Sequence, residues 1–158
     1  MSYDYTAGDL AREMAKPGFE GGTFTVLIAS SCAEGVKFTA YPSPAPASGR
    51  FIVGGGAPEG ARVFPADLSQ RPGDRGVGAV YRALLAMAKR AAVIGAWRDA
   101  QGRLWLDEVD AYAHPAEAFN VARARGELAI WDGKESREHS VTGEAAEFWA
   151  EYERELHA

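Results

Sequence analysis

One cysteine, Cys32, among 158 residues excludes an intramolecular disulfide framework and any multi-cysteine zinc or iron–sulfur centre. Histidine is almost as scarce. His114, His139 and His157 have no i, i+4 partner and no neighbouring cysteine, so no compact metal motif is written in the chain and no metal or other cofactor is expected. No apolar run approaches the ~18–20 residues of a membrane span. The longest uncharged candidate, Thr23 to Ala33, is strand-length. Met1 to Lys16 carries Asp4, Asp9 and Glu13 and lacks a basic region followed by an apolar core, so a signal peptide is not expected and a cytoplasmic protein is. Basic residues are outnumbered 17 to 22, giving a net charge of -5, which argues against a surface that coats phosphate backbones.

What is present suits a single α+β domain over residues 1–158, with hydrophobic residues at 47% and charged residues at 25%. Thr6 followed by Asp9 resembles a capping box, and Pro17-Gly18 is a firm stop, which predicts a helix over about residues 7–16. Thr23 to Ala29 and Val36 to Tyr41 read as strands joined by a turn through Ser30–Gly35. Alternating prolines make 42–49 a surface loop, and 65–76, with Pro65, Pro72, Gly73 and Gly76, is a second. Short strands are expected at Arg50–Val53 and Ala61–Phe64. Val80, Leu84, Met87 and Ala91 fall at i, i+4, i+7 and i+11, the stripe of an amphipathic helix with Lys89 and Arg90 in its last turn. Ala92–Arg98 and Arg103–Asp107 form a hairpin around Asp99-Ala100-Gln101-Gly102, with Trp97 and Trp105 placed to stack. Pro115 and Gly126 bracket another helix. Strands at 127–131 and 136–141 follow, and Glu144 to Leu156 closes the chain as the fourth helix. The irregular alternation and short turns favour an antiparallel sheet, with a ββαβ stretch from Ala92 to Val141. The expected core is Phe24, Val26, Ile28, Val80, Leu84, Met87, Ile94, Leu104, Leu106, Phe119, Ile130 and Trp131.

Local chemistry is thin. Gly54-Gly55-Gly56 follows a strand, but Pro58 and a further strand intervene where a phosphate cradle needs a helix N-terminus, so it reads as a flexible loop. Gly73 to Gly78 leads into a helix, with Asp74 as its cap. Cys32 lacks a nucleophile signature, although His114 or His139 could in principle serve as its base. Asp107, Glu108 and Asp110 are the densest carboxylate cluster. They read as a solvated strand end, with an enzyme using Asp107, Asp110 and His114 as the competing interpretation. No catalytic residue and no metal ligand is assigned. The terminal segment, Gly143 to Ala158, carries five glutamates against one arginine beside Phe148, Trp149 and Tyr152. It is the candidate partner-binding surface, with Glu144, Glu147, Trp149, Glu151 and Glu155 as its contact residues.

The Gly95-Ala96-Trp97-Arg98-Asp99 hairpin, the Ala116-Glu117-Ala118 helix and the Ala129-Ile130-Trp131-Asp132 strand together resemble a module of uncharacterised proteins from actinobacterial-type phages and mobile elements. Gly21-Gly22-Thr23-Phe24-Thr25 is similar to that module's upstream segment, with one residue inserted. The resemblance implies a viral or mobile-element origin and carries over no catalytic residue. With it, the acidic profile leads to one expectation: a non-catalytic accessory protein that binds and inhibits a host defence complex, of the anti-CRISPR or anti-restriction type, inside the host cell. The expected partner is a host protein complex, with no direct contact to nucleic acid or membrane. A virion or packaging module and a small hydrolase or metal-dependent enzyme are the alternatives.

Overall fold

A computed structural model of the chain describes residues 3–16, 25–33, 35–42, 50–57, 60–68, 76–91, 93–135, 137–142, 151 and 154. From the N-terminus, β1 (Tyr3–Thr6) runs directly into α1 (Ala7–Ala15), and β2 (Thr25–Cys32) and β3 (Gly35–Pro42) follow as a hairpin. β4 (Phe51–Val53), β5 (Arg62–Phe64) and α2 (Val77–Ala88) come next. The remainder is β6 (Val93–Arg98), β7 (Leu104–Glu108), β8 (Asp110–Tyr112), α3 (Pro115–Arg125), β9 (Ala129–Asp132) and β10 (Arg137–Ser140). The fold is α+β, with a six-stranded sheet ordered β1-β3-β2-β6-β7-β5 and a four-stranded one ordered β10-β9-β4-β8. Every pairing is antiparallel.

α1 starts where the sequence places it, because the Thr6 hydroxyl accepts the Asp9 N–H at 3.2 Å. It buries Leu10, Ala11 and Met14, and α2 buries Val80, Ala83, Leu84 and Met87. The two helices pack on one face of the large sheet, over Leu27, Phe38, Ile94, Leu104 and Leu106. The expected strand face needs correction. Leu27, paired to Ile94, turns toward the helices, while Ile28 lies on the opposite face and is half-buried. Val26 is buried as expected, and Phe24 lies outside the described residues. The run Val26–Ala29 is apolar throughout, so it holds no alternation to say which face turns inward. The turn is also shorter than expected. Cys32 pairs with Gly35, leaving two residues in the loop, and Gly35 takes φ +121°, a conformation that favours glycine.

Around α2, Lys89 caps the helix and Arg90 lies beyond it, rather than both standing in the last turn. The N-cap is Gly76, whose carbonyl accepts from Ala79 and Val80, rather than Asp74, which lies outside the described residues. The segment read as a loop over 65–76 contains Leu68, fully buried against the helical core.

The second sheet packs Phe51, Val53 and Ile130 against Ala118, Phe119 and Ala122 of α3. Trp131, adjacent to Ile130 in β9, faces away and is half-buried, because neighbouring strand residues cannot share one face. α3 begins at Pro115 and ends at Gly126, which takes φ +74°. The ββαβ expectation divides between the sheets. β6 and β7 belong to the large one, whereas β8-α3-β9 is a strand–helix–strand crossover with β4 inserted between its two strands. Because β4 is antiparallel to both, β8 and β9 run parallel to each other. Among the described residues no helix is long and apolar enough to cross a membrane.

Candidate functional site

β7 carries two buried acids. Glu108 is 4% exposed and is matched by Arg90, whose Nη2 and Nε donate at 2.6 and 3.1 Å. Asp107 points to the other face of the strand, is 6% exposed, and among the described residues has no arginine against it at contact distance. Its Oδ2 accepts the Gly55 N–H at 3.0 Å, and its Oδ1 is buried without a hydrogen-bond partner among the described residues. Neither residue is the solvated strand end that sequence suggested. Asp110 is exposed and pairs with Arg125 at 2.5 Å. His114 stands exposed at the N-cap of α3 and makes no side-chain capping bond.

The glycine run explains how a lone carboxylate fits there. A Cβ on Gly54 would lie 2.3 Å from Asp107 Oδ2, and one on Gly55 would lie 2.1 Å from Glu127 Oε1. Gly54 and Gly55 therefore seat two carboxylates side by side, and such a seat repels a phosphate rather than cradling one. Gly56 lies against backbone, since its Cβ would come 2.9 Å from the Glu108 carbonyl oxygen, to which its own N–H donates at 3.0 Å. Gly56→Ala is accordingly expected to lose about 1–3 kcal/mol in urea unfolding, because backbone cannot rotate away as a side chain does. Arg125 reaches the rim, donating to the Gly54 carbonyl at 3.0 Å. Burial pushes the Asp107 carboxyl up; the Gly55 N–H opposes this, the Glu127 charge adds to it, and Arg125 offsets part. Beside this seat a polar cleft of about 220 Å³ is lined by Gly56, Arg90, Glu108 and Asp110, among others.

A second buried network ties the small sheet together. Asp132 is fully buried and accepts from Arg50 Nε and Nη2 at 2.9 and 2.8 Å, and from His139 Nε2 at 2.9 Å. The Lys134 and Glu135 N–H groups complete its shell at 3.0 and 3.3 Å. Asp132, Glu135 and His139 bring ligand atoms within 4.8 Å of one another, a spacing that could hold a metal. Arg50 already supplies the cation, and Arg137 adjoins the histidine at 3.4 Å, so the two acids are balanced without an ion. His139 is thus a bonded interior residue of β10, not a free base for Cys32, which ends β2 in the other sheet.

Trp97 and Trp105 stack as expected, 5.9 Å apart and 8° from parallel, at directly paired positions. Asp99 holds the turn beneath them, accepting from the Gln101 and Arg103 N–H groups and from Trp105 Nε1 at 2.8 Å. The Trp105 bond, opposed by desolvation and joined by the Arg103 bonds, brings its carboxyl down to about 2.

Of the terminal candidates, Glu151 is helical and exposed, while Glu144, Glu147, Trp149 and Glu155 lie outside the described residues. Sequence reasoning missed Glu127, Arg125 and Arg50. Glu127 and Arg125 bracket a helix-ending glycine and carry no local motif; only the unusual Gly-Gly-Gly run hinted that something closely approaches the backbone there. Comparison with protein-family models, curated proteins and solved structures gives no match.

Proposed function

We propose that the protein is a non-catalytic accessory protein of a phage or mobile element that binds a host defence complex, of the CRISPR-effector or restriction type. It occupies a basic surface that otherwise meets nucleic acid. The observation that carries this reading is the placement of charge. Five of the 22 acidic residues and one of the 17 basic residues fall in the last sixteen positions, so the end of the chain holds all but one unit of the net charge of -5. The rest is close to neutral. A short segment with that charge density, carrying Phe148, Trp149 and Tyr152, combines long-range attraction for a cationic groove with aromatic anchors. Glu151 is exposed in helical conformation, consistent with that role. Glu147, Glu151 and Glu155 are spaced i, i+4, i+8, so one helix face would present all three.

The test is capture of the partner from host lysate, followed by kinetics with the purified complex. Replacing Glu147, Glu151 and Glu155 by Lys is expected to slow association by about tenfold or more and to flatten its salt dependence. Trp149→Ala is expected to act on dissociation instead. A Lys variant that folds and associates at the original rate would remove the acidic surface from the reading.

A further inference from the structure

We propose that Asp107 and Glu127, seated side by side on Gly54 and Gly55, form a binding site for a hard divalent cation such as Ca²⁺, Mg²⁺ or Mn²⁺. Asp107 is only 6% exposed, and among the described residues its buried Oδ1 has no hydrogen-bond partner. A buried charged oxygen without a partner is costly, so proteins seldom retain one without a compensating group. Glu127 adds a second carboxylate over the same dipeptide, and its side chain makes no hydrogen bond or ion pair among the described residues. Asp110 brings a third acid through its contact with Arg125.

Charge balance separates this site from the other acidic groups in the molecule. Glu108 has Arg90, and Asp132 with Glu135 has Arg50, with Arg137 beside His139. Among the described residues, Asp107, Glu127 and Asp110 share Arg125 alone, which leaves two negative charges to be offset. A divalent ion supplies two positive charges, and oxygen-only donors select a hard one. The glycines have a direct part: any side chain at 54 or 55 would occupy the position of a carboxylate oxygen. Two protein carboxylates with water completing the shell is the usual arrangement for Mg²⁺ and for weaker Ca²⁺ sites.

Titration calorimetry of the full chain with CaCl₂, MgCl₂ and MnCl₂, against KCl as an ionic-strength control, tests the proposal. Saturable one-to-one binding with at least one of these ions is expected, together with a rise in melting temperature. Asp107→Asn and Glu127→Gln should each weaken binding by about tenfold or more, while Glu135→Gln, at the arginine-balanced group, should leave it unchanged. Without added ion, Asp107→Asn should melt no lower than the parent, because it removes an uncompensated buried charge. If Asp107→Asn does not fold, Glu127→Gln decides alone. No saturable binding up to about 10 mM of any of the three ions, or binding that persists in Glu127→Gln, would overturn the site.

Discussion

Asp132→Ala is expected to cost about 3–5 kcal/mol of folding stability, the largest effect of any polar substitution in the chain. The carboxylate is fully buried and receives five donors from four residues: two from Arg50, one from the His139 ring, and the backbone N–H groups of Lys134 and Glu135. Removing it strands a guanidinium and a buried imidazole as well as opening space, so the loss exceeds that of one hydrogen bond. Burial by itself would raise this carboxyl. The Arg50 and His139 bonds outweigh it and bring the group down to about 2, below the 3.8 of the free side chain. A depressed carboxyl contributes its stability above the unfolded value and loses it as pH falls through the folded one. The parent should therefore hold its urea midpoint from neutrality to about pH 5 and weaken between about pH 4 and pH 2. Asp132→Ala should lose that portion of the acid dependence. A variant with the same midpoint as the parent at pH 7 would show that the network is idle.

Leu84→Ala and Ile130→Ala are each expected to cost about 2–5 kcal/mol, since each leaves a cavity in a fully enclosed core. Leu84 lies in the core between the two helices and the large sheet, and Ile130 in the one between α3 and the small sheet. The pair therefore probes both cores. Tryptophan fluorescence reports from both sheets, through Trp97 and Trp105 in the large one and Trp131 in the small one. In a single cooperative domain each variant shifts one common transition, seen alike by fluorescence and by far-ultraviolet dichroism. Unchanged melting of either variant would remove that residue from the core.

The reach of sequence reasoning here follows the range of the forces involved. α1 and α3 were legible because Thr6, Pro115 and Gly126 act on their own neighbours. The Trp97–Trp105 stack was legible because a short turn fixes the pairing. The face of β2 was not, because its central run Val26–Ala29 is apolar on both faces and carries no period, and only its pairing to β6 puts Leu27 inward. The carboxylate cluster was visible as a group of letters, but its meaning was not. Asp107 and Glu108 differ only in what lies opposite them, and those partners, Arg90, Gly55 and Glu127, come from three other parts of the chain. β1 and β8 carry no bounding turn signal, since β1 runs straight into α1 and β8 follows β7 after a single residue.

The insertion of β4 between β8 and β9 sets the order in which the molecule can be completed. A central strand normally finds a neighbour within its own hairpin, but Phe51–Val53 leaves the ribosome with both of its neighbours still unmade. The β2–β3 hairpin can form at once from adjacent residues, whereas the small sheet must wait for Asp110–Tyr112 and then for Ala129–Asp132. Each of those pairings closes a long loop before any ladder bond rewards it. Arg50, at the threshold of β4, likewise emerges far ahead of the Asp132 that will neutralise it. Synthesis thus proceeds with the centre of one sheet held open, and the last third of the chain is what finishes a layer begun in the first.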